Sequence, residues 1–203
     1  MTIISRRIMV PILGKTALAH ERATHLAAIM TKAGAKVRVL KVVMGEGVGN
    51  IEILAGYADF SSGTRASVAI QSDPDMKALM GEREKNAATH VSGPFVYRMV
   101  FGEVSAQPVL LQREYQIDRQ NLKEALALLP EVKSAFDPHS GMSAVVPTFS
   151  PEMDRLVISY YANSLEHMGE TLDKYGMSQA FQNVVTKASA HGKLVGARVL
   201  AVI

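Results

Sequence analysis

The chain has 203 residues, 48% hydrophobic and 20% charged, with a net charge of +3, which suits one large domain or two of about 100 residues with a core that needs no staples. It has no cysteine, which excludes disulfides, thiolate metal sites and cysteine nucleophiles and fits a cytoplasmic location. Charges of both signs are scattered, without the basic stripe and stacking aromatics of a nucleic-acid binder, and no apolar run approaches the roughly 18 residues of a membrane span.

Residues 6–13 are basic at Arg6 and Arg7 and then apolar, too short a run for a signal peptide. They read as a strand that Pro11 either ends or confines to a sheet edge, because proline has no N–H for a ladder. Residues 16–33 read as a helix: Leu18, Leu26, Ile29, Met30 and Ala33 share a face, Thr16 caps the start and Gly34 follows the end. Residues 37–44 and 51–60 are strands joined by a turn holding Gly45, Gly47, Gly49 and Asn50. That glycine cluster is no phosphate loop, since a strand and not a helix follows it. A helical region covers residues 64–89, with Asp73 capping a fresh segment that begins at Pro74. Gly93 and Pro94 end it, and residues 95–101 form a fourth strand.

The order β, α, β, β, α, β then begins again. Residues 108–115 are a strand. Asp118 caps a helix carrying Leu122, Ala125, Leu126 and Leu129, which Pro130 stops or kinks. Residues 142–149 and 155–162 form a second hairpin, residues 164–190 are helical with weak points at Gly169 and Gly176, and residues 193–203 close the half as an apolar strand. The segment 53–59 aligns with 157–163, pairing Tyr57 with Tyr161, and 87–90 aligns with 188–191, pairing His90 with His191. Two matches in the same order point to an internal duplication, with repeats at 1–104 and 105–203.

Ala58-Asp59-Phe60, the stretch from Ala66 to Ile70, Ser72-Asp73-Pro74 running on to Leu79, and Phe95-Val96-Tyr97-Arg98 together resemble the dimeric α/β-barrel superfamily, nearest its NIPSNAP-like and antibiotic-monooxygenase-like branches. The second half is similar but has Gly176-Met177-Ser178 in place of the Asp-Pro step. The resemblance implies an α+β fold of tandem ferredoxin-like βαββαβ units whose antiparallel sheets pack into a barrel within one chain, with homo-oligomers open to it. It also implies a choice among cofactor-free monooxygenases, isomerases, cyclases, haem-degrading enzymes and haem peroxidases. The monooxygenases place an Asn, a Trp and a His around their ligand, and this chain has no tryptophan. A haem peroxidase needs a proximal histidine, for which the second half offers His191 or His167. No cofactor is expected.

His90 and His191, each expected at the end of a helix, read as general bases or metal ligands, or as caps on the helix dipole. Tyr57 and Tyr161, with Tyr160 beside it, read as hydrogen-bond donors to a ligand oxygen or as packing residues with wet hydroxyls. Arg98 and Arg198 are candidates for an anion role or outward strand charges. His20, Glu21, Thr24 and His25 read as a solvated helix face, since their spacing is not that of a zincin. His139 sits in a turn-rich stretch expected to line a pocket mouth, and His167 is expected on an exposed helix start. Ser143 and Ser159 lack the glycine elbow of a serine hydrolase. The function expected is binding of a small apolar or aromatic metabolite in a cleft between sheet and helices, with proton transfer or cofactor-free oxygenation as its chemistry. The alternative is a non-catalytic binding or assembly module whose barrel is filled by side chains such as Met9, Met44, Met99 and Met142.

Overall fold

The β-branched, alternating runs become eight strands: β1 (Ile3–Pro11), β2 (Lys36–Gly45), β3 (Ile51–Tyr57), β4 (Thr89–Gly102), β5 (Val109–Gln116), β6 (Met142–Phe149), β7 (Arg155–Ala162) and β8 (Lys193–Val202). The computed structural model describes residues 2–137 and 140–203, so His139 lies outside the described residues. All strand pairs are antiparallel, and they close into one barrel in the order β1-β3-β2-β8-β5-β7-β6-β4. The strands of residues 3–102 are therefore adjacent, as β4-β1-β3-β2, and the later ones are adjacent as β8-β5-β7-β6. They meet at two seams, β2 against β8 and β4 against β6.

Closure leaves no edge strand, so β1 is not at an edge. Pro11 is its last residue, beyond the β3 ladder that stops at Met9 opposite Ile51. A proline needs only that no ladder demand its N–H, and the end of a strand meets that need. Gly93 and Pro94 do not end a helical region. They lie inside β4, where its register with β1 shifts between Arg6 and Ile8, so an irregularity in the ladder absorbs the proline. Both seams carry further register shifts, between Val42 and Met44 and between Met99 and Phe101.

The helices cover the outside. They are α1 (Thr16–Lys32), α2 (Phe60–Ser72), α3 (Pro74–Lys85), α4 (Leu122–Ala127), α5 (Leu129–Ala135), α6 (Leu165–Tyr175) and α7 (Gln179–Ser189). The breaks follow local chemistry. Asp73 accepts from the Asp75 N–H and so starts α3 with Pro74 in its first turn. Pro130 sits in the first turn of α5, and α6 stops at Gly176 before Ser178 caps α7. Outward strand residues bury against these helices in two clusters. Met9, Ile51, Ile53 and Ala55 pack with Leu26, Ile29, Met30, Ile70 and Leu79. Leu111, Ile158 and Tyr160 pack with Leu129, Phe136, Phe181 and Val184. Each large side chain so buried stabilises the fold by about 1.5–3 kcal/mol. The Phe136 ring lies 4.5 Å from Tyr160 and 5.4 Å from Phe181, so the expected cleft between sheet and helices is filled in this half. No described helix is long and apolar enough to cross a membrane.

Candidate ligand site inside the barrel

Because strand side chains alternate between faces, every strand that sends apolar residues out to the helices sends its other set into the barrel. That inward set is mostly apolar but includes a group of polar and charged side chains. Arg6 on β1 donates from Nε and Nη2 to the two carboxylate oxygens of Glu52 on β3, each at 2.8 Å. Nη1 of Arg198 on β8 lies 3.5 Å from Glu52 Oε1. Arg198 also donates to Gln112 Oε1 on β5 from Nε at 3.1 Å and Nη2 at 3.0 Å. Gln112 Nε2 in turn donates to Ser159 Oγ on β7 at 3.3 Å. In the barrel order these strands run from one wall to the opposite one, so the chain of bonds forms a polar bar across the interior.

Above the bar is a cavity of about 790 Å³, within the range of small-molecule sites. Its walls include Ile4, Leu54, Met99, Leu110, Val145 and Val157. Leu40, Val42, Leu110 and Leu200 pack with Tyr161 as a buried apolar cluster along one side. The cavity opens between Gly34, Gly56, Ala58 and the linker that follows β4, residues 103–106. Near this mouth Arg38 on β2 donates to the carbonyl oxygens of Ser105 at 2.8 Å and Gln107 at 2.5 Å, and its guanidinium lies 5.9 Å from the centre of the Tyr161 ring. Tyr161 Oη and Ser143 Oγ share a hydrogen bond of 2.8 Å.

Burial shapes the electrostatics. It pushes the Tyr161 phenol above its usual value, against the opposing pull of the Ser143 hydrogen bond and the Arg38 charge, so the group stays a neutral donor at physiological pH. Burial works against the Arg6 charge, but Glu52 more than offsets it and Arg6 is raised. Arg198 is lowered by burial, with Glu52 opposing. Two guanidiniums thus share one carboxylate at the floor of a largely apolar well.

The structure brings only some of the candidates expected from sequence to this site. Tyr161 and Arg198 point into it, as do Ser143 and Ser159. Tyr57 meets the cavity at its mouth, but its ring packs on the helix side against α2 at Gly63. Tyr57 and Tyr161 therefore face opposite ways, and the outward residue of β7 is Tyr160, in the helix-covered core. His90 is exposed in β4 opposite Val10 and caps no helix, because α3 ends at Lys85. His191 lies in the turn after α7, its N–H on the Ala188 carbonyl at 3.0 Å. Arg98 lies 5.3 Å from the centre of the Phe60 ring. His167 is part-buried, 3.4 Å from Asp137. Glu21, Thr24 and His25 are exposed, whereas His20 is half-buried with Nε2 shielded from solvent. Arg6, Arg38, Glu52 and Gln112 escaped sequence reading as site residues. Their signal was charge or amide at alternate positions of otherwise apolar strands, positions that a core normally denies to them.

Among the described residues no histidine lines the cavity, and rings fill the space between the later strands and their helices. Among the described residues, those at these two places offer a haem no axial imidazole.

No protein-family model and no curated protein matches the sequence. Solved structures do match. A candidate monooxygenase of Fusobacterium nucleatum is 9% identical with a TM-score of 0.63, the match covering 99% of this chain and 91% of that one. An anthrone oxidase-like protein is 10% identical with a TM-score of 0.62, covering 100% and 91%. A variant chlorite dismutase of Candidatus Nitrospira defluvii is 10% identical with a TM-score of 0.57, covering 100% and 90%. At such identities the likeness is one of fold, that of the dimeric α/β-barrels.

Proposed function

We propose that this chain, a dimeric α/β-barrel protein by fold, binds a small, largely apolar organic anion inside its barrel. The observation that carries this reading is the cavity of about 790 Å³ whose polar lining includes Arg6, Arg38 and Arg198, with Glu52 the carboxylate that Arg6 and Arg198 share. Positive charge held in a low-dielectric well favours an anionic occupant, and the apolar walls favour a hydrocarbon body. The void also speaks against a fully filled barrel. The test is a fluorescence titration with 8-anilinonaphthalene-1-sulfonate, an aromatic sulfonate. One site per chain is expected, and Arg198→Gln should weaken it about tenfold. Equal binding by the uncharged N-phenyl-1-naphthylamine, or no effect of Arg198→Gln, would refute the reading.

Two finer readings rest on further support. The two adjacent strand sets and the two separate outer cores support residues 1–104 and 105–203 as fused βαββαβ repeats. The candidate monooxygenase and anthrone oxidase-like neighbours support a catalytic extension in which Tyr161 and Arg38 hold an enolate oxygen of the ligand during cofactor-free oxygenation. That extension predicts oxygen uptake with an anthrone as substrate, reduced at least tenfold in Tyr161→Phe. Uptake no faster than without protein would end it.

A further inference from the structure

Glu52 is 1% exposed and is not among the residues that line the cavity. Both its oxygens are engaged by Arg6 at 2.8 Å, and Arg198 approaches Oε1 at 3.5 Å. Other charges lie outside this trio. Glu114, inward on β5 beyond the bar and away from the cavity, pairs with Arg155 at 3.1 Å and acts on Arg198 from the far side. Lys36 and Glu103, exposed at the mouth, oppose each other in sign. Arg38 is set apart at the mouth, its donors on the Ser105 and Gln107 carbonyls. On the cavity side the floor is thus two guanidiniums sharing one carboxylate, a single excess positive charge among those three groups.

We infer that Glu52, out of the ligand's reach, is a specificity residue that sets the charge accepted at the floor to one, selecting a carboxylate- or sulfonate-type monoanion over a phosphate-type dianion. The inference rests on the anion reading above. Without Glu52, Arg6 and Arg198 would present two unshared charges and a dianion would be matched instead. Replacing Arg6 together with Glu52 removes one charge of each sign and restores the single excess charge.

The experiment compares 1-naphthalenesulfonate with 1-naphthyl phosphate, by displacement of the anilinonaphthalene probe at pH 8, where a phosphate monoester with its second pKa near 6 is a dianion. The wild-type chain should prefer the sulfonate. Glu52→Gln should shift the ratio of the two dissociation constants toward the phosphate by about tenfold or more, and Arg6→Gln/Glu52→Gln should return it toward the wild-type value. The double variant also covers the case in which Glu52→Gln fails to fold, since it leaves no unpaired floor carboxylate or extra charge. A wild-type preference for the phosphate, an unchanged ratio in Glu52→Gln, or a double variant that prefers the dianion would overturn the inference while leaving the anion reading intact. Failure of both naphthyl ligands to displace the probe would overturn the two together.

Discussion

The hydroxyl of Tyr161 shares a buried hydrogen bond with Ser143 and sits beside the Arg38 guanidinium. Losing such a bond costs about 1 kcal/mol, so Tyr161→Phe should be folded and modestly less stable at neutral pH. Burial raises the phenols of Tyr57, Tyr115, Tyr160 and Tyr161. A group whose folded pKa is raised contributes stability that is complete below its unfolded value, about 10 for tyrosine, and is lost as pH rises toward the folded one. The melting temperature should therefore hold through neutral pH and fall above about pH 10. Tyr161→Phe should show a shallower alkaline fall than wild type, and an equal slope would contradict the assignment. At this scale the sequence was half legible. Tyr161 and Arg198 were marked from type and position, but pairing Tyr57 with Tyr161 placed both on one face. With a side-chain period of two, a slip of one residue reverses the face, and the match of short apolar strings could not see it. Arg6 and Glu52, 46 residues apart in the chain, declare themselves only once β1 and β3 are paired.

Elements were far more legible, because capping, proline and β-branching act locally. Strands β6 and β7 fell at the bounds expected of the second hairpin, and Asp73-Pro74 split α2 from α3 as a cap and first-turn proline should. The caps expected at Thr16 and Asp118 did not form, since α1 starts after Lys15 and the Asp118 side chain makes no capping bond, and the first residues of β4 looked like a helix end until pairing with Val10 and Pro11 drew His90 into the sheet. Partner strands, not intrinsic preference, decided it. Seams were invisible in the sequence for the same reason. At the β2–β8 seam Gly45 has φ +85°, and a Cβ there would strike the Ala197 carbonyl oxygen and Arg198 Cα. At the β4–β6 seam Gly102 has φ +64° and faces the Met142 carbonyl. Gly45→Ala should cost about 1–3 kcal/mol from backbone strain alone, with the seam contact added. Gly49 has φ +91° but open space around it, so Gly49→Ala carries only the conformational part. Urea unfolding of the two variants should find Gly45→Ala the less stable; equal losses would mean the seam yields freely.

The whole molecule is a closed sheet with its helices outside and a polar bar within. Element order pointed to α+β units whose sheets have a second face to bury, and the barrel itself was expected from the family resemblance. Where the interior would stay open did not follow, because that depends on how long side chains from opposite walls meet. The polar bar crosses the well below its open end. Among the described residues, a guest that enters between the start of β2 and the linker after β4 meets that bar at its inner end. A guest with its anion seated first would leave its far end nearest the water, where bulk of almost any shape is free to hang outside the rim.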